Sequence, residues 1–257
     1  MESNRHKEEI VDQFTNQAVP FAELKAHSED RTLDIFRELG DFSGEECVLD
    51  SGCGPGLVSC YLSSLANEVI GLDLTPAMIQ LAKETASKRS ITNVNFIVGN
   101  MLELPFANDH FDISVSRYAF HHLENPQIAF AEMLRVTKPG GRVIVLDATP
   151  EEPKQTAYNK FEVLRDPSHT RALTTQELSL FGREHGLASP TTISFRLEMD
   201  ANQLVASSFP KAVSKEHLLQ LLAEDIDQDS LSFKACQKES RLTVYFPLTA
   251  ACWQLPL

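Results

Sequence analysis

The chain is poor in positive charge: 23 Lys and Arg stand against 36 Asp and Glu, a formal net charge of −13. Proteins that grip nucleic acid broadly neutralise phosphates with Lys and Arg, so this balance speaks against that class and leaves room only for a local basic patch. Cysteine is scarce as well. Cys47, Cys53, Cys60, Cys236 and Cys252 are odd in number and form no C-x-x-C pair, which fits reduced thiols in a cytoplasm and excludes a disulfide framework or a zinc site. No apolar run reaches the ~20 residues a membrane helix needs. The opening MESNRHKEEI also lacks the apolar core of a signal segment. Internal repeats and low-complexity tracts are missing. The expectation is a cytoplasmic protein with no metal, no membrane and no nucleic-acid partner.

What is present is enough apolar material for a packed core. Of 257 residues, 42% are hydrophobic, a length and composition suited to one large α/β domain, with or without an elaborated cap. Strand and helix signals alternate from residue 47. Strands are predicted at 47–50, 68–73 (EVIGLD), 94–99 (VNFIVG), 111–116 (FDISVS) and 142–147 (RVIVLD). Helices are predicted at 57–66, from Pro76 to about Lys88 behind a Thr75 cap, at 126–136, and at 175–186 with a terminal glycine. Lys138-Pro139-Gly140-Gly141 reads as a breaker. Short apolar strands separated by helices imply buried parallel strands with right-handed crossovers. Segments 191–197 and 242–248 suit an antiparallel closing pair. Residues 1–40, 148–173 and 198–238 do not follow the alternation; the acidic run 224–229 in the last suits a solvated face.

The stretch CVLDSGCGPGLVSC (47–60) joins the first strand to its crossover helix. Ligands of open parallel sheets sit beyond the carboxyl ends of the strands. Gly52 and Gly54 allow a tight turn and a close ligand. The spacing is G-x-G-x-G rather than the dinucleotide G-x-G-x-x-G, and Asp50 stands at the loop's mouth. A pyrophosphate needs the positive end of a helix without an anion beside it, so Asp50 opposes a nicotinamide cofactor. A phosphate-free ligand with an ammonium and a sulfonium welcomes it, and S-adenosylmethionine (SAM) has both. Asp73 ends the second strand roughly 20 residues on, where an acid meets ribose hydroxyls, a placement that suits SAM and NAD equally.

The segments VLDSGCGPG, GLDLTPAMIQLAK, GNMLELPFANDHFDISVSRYAFHHLENP and EMLRVTKPGGRVIVLD, in that order, resemble successive motifs of class I SAM-dependent methyltransferases. Their wording is most similar to the small-molecule group that includes the ubiquinone/menaquinone-type enzymes. The resemblance implies a Rossmann-like, mostly parallel seven-stranded sheet with helices on both faces and an antiparallel closing strand. It implies a SAM-binding domain over 41–257, and the three segments outside the alternation suggest a cap formed by helical residues 1–40 and by insertions at about 148–173 and 198–238. Asp50, Gly52, Cys53 and Gly54 then match the loop facing the methionine part, Asp73 the ribose acid, and Leu74 and Met78 the adenine walls. Asn100, Met101 and Leu102 match the segment that reads the adenine edge, with Asn100 where many relatives carry Asp. Ser116 and Arg117 match the turn after the fourth strand, and Phe14 and Gln17 an N-terminal segment folding over the cofactor.

Methyl transfer from a sulfonium is an in-line displacement with a neutral leaving group, so alignment and water exclusion should supply most of the acceleration. A general base is needed only for an acceptor that keeps its proton. His122 and His169 are the candidates, with His121 ranked below them; packing at a helix start and a loop anchor built from Asp166, His169 and Arg171 are the plainer roles. Tyr118 and Tyr158 are candidate pocket walls. The turn Ser116-Arg117-Tyr118-Ala119-Phe120 lacks the Asn/Asp-Pro-Pro-aromatic pattern of nucleobase methylation. His-His-Leu stands where quinone-methylating relatives show Arg-Asn-Val. The acceptor expected is a small aromatic or heteroaromatic metabolite; a SAM fold turned to a non-methylating reaction or to regulatory binding is the alternative.

Overall fold

The computed structural model describes the backbone of residues 4–23 and 30–257 and the side chains of residues 5–16 and 32–257. Seven strands form a continuous sheet in the order β3-β2-β1-β4-β5-β8-β6, and a short β7 pairs with β8. β1 (Cys47–Ser51), β2 (Glu68–Asp73), β3 (Val94–Val98), β4 (Phe111–Arg117) and β5 (Thr137–Ala148) are mutually parallel. β8 (Arg241–Gln254) runs antiparallel to β5, and β6 (Thr191–Asp200) and β7 (Cys236–Lys238) run antiparallel to β8. The expected closing pair is therefore β6 and β8. β7 is an additional short strand on the same partner.

The strands are apolar on both faces because both are covered. Along β5, Val143 and Val145 face one core and Ile144 and Leu146 the other, and all four are fully buried. α5 (Pro126–Val136) and α7 (Thr175–Leu180) cover the first face through Phe130, Met133 and Leu178. α2 (Asp30–Gly40), α6 (Gln155–Arg165), α8 (Ala201–Ala206) and α9 (Lys215–Glu224) join the second core through Phe36, Phe161, Leu204 and Leu222. α3 (Leu57–Leu62) and α4 (Pro76–Lys88) pack together around Cys60, Ile79 and Ala82.

Several boundaries differ from the sequence reading. The breaker Lys138–Gly141 lies within β5, where an irregularity between Phe111 and Ile113 absorbs it. The helix expected over 175–186 is α helical only to Leu180; residues 181–185 tighten into a 3-10 turn, and Gly186 closes it at φ 73°. Within 1–40, α1 (Asn4–Glu23) leans on α4, whereas α2 buries Phe36 in the main core and is part of the sheet's covering layer. Residues 198–238 likewise bring Leu204, Val205, Leu218 and Leu222 into that core.

β1 and β4 are adjacent, and the chain leaves β1 toward β2 and β3 on one side and toward β4 and β5 on the other. Their carboxyl ends are thus the point where strand order reverses, the crevice such sheets use for ligands.

Candidate active site

Two cavities meet at that crevice. The first, about 860 Å³ of empty space including its mouth, is lined by the loop after β1, the ends of β2 and β3, the turn after β4, and α1. The second, about 750 Å³, lies between the turn after β4, α6, β6, α8 and β8. Phe14, Tyr118 and His122 line both and form the partition.

The first cavity is built by backbone turns that only particular residues tolerate. The N–H groups of Gly52 and Cys53 both donate to Leu72 O, at 2.8 and 3.0 Å, clasping the loop to β2. Gly52 takes φ 75°, and a Cβ there would stand 2.8 Å from Ala119 Cβ. Gly54 takes φ 52°, and a Cβ there would meet nothing within 4 Å because it would project into open space. Both positions need the left-handed freedom of glycine, and the second leaves room for a ligand against bare backbone.

Asp50 is 1% exposed. Its Oδ2 accepts from Ser59 Oγ at 2.5 Å, while Oδ1 has no hydrogen-bond partner. Burial pushes its carboxyl up to about 6, against the opposing effects of the Ser59 hydroxyl and the Arg117 guanidinium. An unpartnered buried carboxylate oxygen lining a cavity is costly, and a cationic ligand group removes the cost. Asp73 accepts Gly54 N–H on Oδ2 at 2.9 Å and Thr75 N–H on Oδ1 at 2.8 Å. Burial raises its pKa against those backbone bonds. Two fixed oxygens, each with acceptor capacity left, suit a vicinal diol. Asn100 accepts Leu102 N–H on Oδ1 at 3.0 Å, so its carbonyl already serves the turn that shapes the rim.

Of the residues expected to hold a cofactor, Phe14, Asp50, Gly52, Cys53, Gly54, Asp73, Leu74, Met78, Asn100, Met101 and Arg117 line this cavity. Leu102 and Ser116 do not. Leu102 supports the Asn100 turn, and Ser116 Oγ is buried without a partner close to Gly52. The side chain of Gln17 lies outside the described residues. Sequence reasoning missed Ile10, whose only signal was its place one helical turn before Phe14. It also missed Tyr118 and Ala119 as walls of this cavity. Tyr118 holds φ 57°, an uncommon conformation for a bulky side chain that tertiary structure must enforce. Its N–H donates to Leu146 O at 2.9 Å, and its ring lies under the Arg117 guanidinium at 5.1 Å.

The histidines separate by environment. His122 Nδ1 faces Ser168 O and Oγ, each at 3.1 Å, and its carbonyl accepts from His6 Nε2 at 2.7 Å. Burial, aided by neighbouring His121, draws its pKa down to about 3, so it is a neutral wall, with Phe14 edge-on at 4.8 Å. His169 lines neither cavity. Its Nε2 is bonded to Asn159 Oδ1 at 2.7 Å, and burial holds it neutral. The geometry thus sets it behind His121, at 5.4 Å between rings. His121 opens on the second cavity, with Nδ1 2.5 Å from Asp147 Oδ1. Burial is the largest influence and lowers its pKa, but Asp147, joined by Glu162 and Asp166, carries the net shift upward.

Leu197, Met199, Leu204, Phe246 and Leu248 give the second cavity an apolar jaw, and Glu162, Arg165 and Asp166 give it a charged end. Among the described residues no helix is long and apolar enough to cross a membrane, and no group of three or more His, Cys, Asp or Glu is placed to hold a metal.

Comparison with known proteins places this architecture. The model of a methyltransferase domain matches residues 49–145. The uncharacterized methyltransferase YcgJ of Bacillus subtilis is 34% identical over 64% of this chain and 66% of its own length. Its crystal structure superposes with a TM-score of 0.80, covering 89% of this chain and 100% of that one at 26% identity. YafE of Escherichia coli is 32% identical over 61% of this chain and 76% of its own. A demethylmenaquinone methyltransferase of Lactococcus lactis is 28% identical over 56% and 60%. The aligned stretch thus spans about two thirds of these curated relatives.

Proposed function

Because this chain belongs to the class I SAM-dependent methyltransferases, we propose that it transfers a methyl group from SAM in the first cavity to a small aromatic or heteroaromatic metabolite in the second. The observation that carries this is the unpartnered Oδ1 of Asp50 in a cavity that shares its partition, Phe14, Tyr118 and His122, with a second apolar chamber. Asp50 takes the ammonium of the methionine part, the Gly52–Gly54 backbone takes its body, and Asp73 takes the ribose hydroxyls. Leu74 and Met78 cover the adenine, whose edge meets Asn100 and Met101.

The cofactor supplies a methyl carbon on a cationic sulfur. The chain's own contribution is alignment and exclusion of water. Tyr118, held by its backbone rather than by a flexible loop, fixes the opening between the chambers. His122, neutral and edge-packed by Phe14, adds a wall that brings no competing charge near the sulfonium. α1 roofs the first chamber with Ile10 and Phe14, and its Asp12 is tied to Lys211 at 3.2 Å.

The test is incubation of the protein with methyl-labelled SAM and a low-molecular-weight metabolite extract. Label should pass to a small organic molecule while S-adenosylhomocysteine (SAH) accumulates. Label entering only protein or nucleic acid, or no SAH at all, would contradict the proposal.

A further inference from the structure

Resting on the methyl-transfer reading, we propose that His121 is the general base of the acceptor chamber, that Asp147 is its positioning residue, and that the acceptor is an uncharged aromatic molecule methylated on a hydroxyl.

The pair is assembled by strand pairing. β4 and β5 run parallel through Arg117↔Leu146, so the turn leaving β4 is delivered beside Asp147, the penultimate residue of β5. Asp147 is 4% exposed. Its Oδ2 accepts the N–H groups of Phe120 and His121 at 2.8 and 3.2 Å, and its Oδ1 accepts Ala148 N–H at 2.6 Å and faces His121 Nδ1 at 2.5 Å. Three backbone donors hold this carboxylate as an acceptor, so the neutral imidazole carries its proton on Nδ1. Nε2 is then left with its lone pair, on a ring that lines the acceptor chamber. A nitrogen base oriented by a buried carboxylate is the arrangement that activates a hydroxyl.

His122 does not fit the role: its Nδ1 is taken up by Ser168 O and Oγ, and burial lowers its pKa and so weakens it as a base. His169 lines neither chamber.

The rest of the chamber selects the acceptor. Facing His121 are Asp147 on β5, Tyr118 and His122 on its own turn, Tyr158, Glu162 and Arg165 on α6, and Asp166 and His169 after it. Arg165 is the cation among them, and it is committed: Nε and Nη2 donate to Glu162 Oε1 and Oε2 at 2.9 and 2.6 Å, and Nη1 to Ser208 Oγ at 3.3 Å. An acceptor bearing a carboxylate or phosphate thus meets acidic neighbours and an already neutralised guanidinium. A neutral ring fits the jaw of Leu197, Met199, Leu204, Phe246 and Leu248. An amine brings a free lone pair and needs no base, whereas a hydroxyl does. In the reaction the O–H proton passes to His121 Nε2, and the freed oxygen pair forms the O–CH3 bond. The S–CH3 pair stays on sulfur, which leaves as a neutral thioether. The imidazolium, paired with Asp147, returns its proton to water.

Two bicyclic probes of similar size separate the outcomes: 2-naphthol, which must lose a proton, and quinoline, whose nitrogen need not. With SAM and the full chain, 2-naphthol should yield SAH and its methyl ether, and quinoline should not react. His121→Ala should lower kcat/KM on 2-naphthol by about 100-fold or more while SAH affinity stays within about twofold, the control that the chain is folded. Asp147→Asn should move the acid limb of the pH profile to lower pH, a change that lost packing would not produce. Methylation of quinoline alone, turnover of neither probe by a protein that binds SAH, full activity of His121→Ala, or an unmoved limb in Asp147→Asn would each overturn the proposal. Failure of the wild-type protein to bind SAH would instead overturn the methyl-transfer reading, and this proposal with it.

Discussion

Asp50 carries the most chemistry for its size. Its carboxyl is raised to about 6 by burial, so in the empty protein it is partly protonated just below neutrality. A cationic ligand needs it ionised. SAH affinity should therefore be flat above about pH 6 and fall toward tenfold per pH unit beneath it; in Asp50→Asn the dependence should vanish along with most of the affinity. Calorimetric titration with SAH at stepped pH checks this, and a wild-type affinity unchanged at pH 5 would contradict it. The place of Asp50 in the first cavity was legible in sequence because its neighbours in space are its neighbours in the chain: strand, acid and glycines follow one another within 47–56. Asp147 was not legible in that way. It lies 26 residues from His121, and only the pairing of β4 with β5 joins them. The signal was that the segment RVIVLD ends in an acid at the same sheet edge where the segment reaching Phe120-His121-His122 emerges.

At the scale of the element, the turn after β4 decides how the two chambers communicate. Tyr118 at φ 57° stores backbone strain that its side chain and Arg117 hold in place. Ala and Gly both remove the ring, but only Gly removes the strain. Tyr118→Gly should therefore be more stable than Tyr118→Ala by about 1 kcal/mol, the reverse of their order in ordinary backbone, and both should lose turnover. Chemical unfolding of the two variants measures the difference; equal stabilities would mean that the backbone there is relaxed. Periodicity and spacing found every strand of the parallel set, yet nothing local in Arg117-Tyr118-Ala119 announces a left-handed residue, since no glycine or asparagine marks it. α2, grouped with cap material in the sequence, shows the same limit. Its apolar stripe of Leu33, Phe36 and Leu39 is amphipathic whether it covers a ligand or a sheet, and the burial of Phe36 against the main core is a tertiary fact.

Across the whole molecule, the segments that did not follow the strand–helix alternation turn out to build the second chamber and a large share of the core together. α6 contributes Tyr158 and Phe161, and α8 and α9 contribute Leu204, Leu218 and Leu222. Removing 198–238 would therefore unfold the domain rather than uncover the acceptor. The second chamber was not predictable in shape because its walls come from five separated stretches. Apart from Ile10 and Phe14 of α1, the first cavity's walls come from consecutive strand ends and the turns that follow them.

The buried histidines tie global stability to pH. His169 is held neutral inside the fold, so below its unfolded value of about 6.5 the unfolded chain binds more protons than the folded one, and stability is lost as pH falls. Relative to wild type, His169→Gln should gain up to about 1.4 kcal/mol per pH unit below 6.5, a comparison in which the opposite tendency of Asp50 cancels. Denaturant titrations of both proteins at pH 7, 6 and 5 test this; parallel curves would show that the ring is protonated in the folded state.

The most direct test of the whole account is a calorimetric titration of the wild-type protein and Asp50→Asn with SAH and with NAD. The account predicts that SAH binds the wild type, that the substitution weakens it by at least about tenfold, and that NAD gives no binding heat to either. NAD binding in preference to SAH, or SAH bound equally well without the carboxylate, would contradict it.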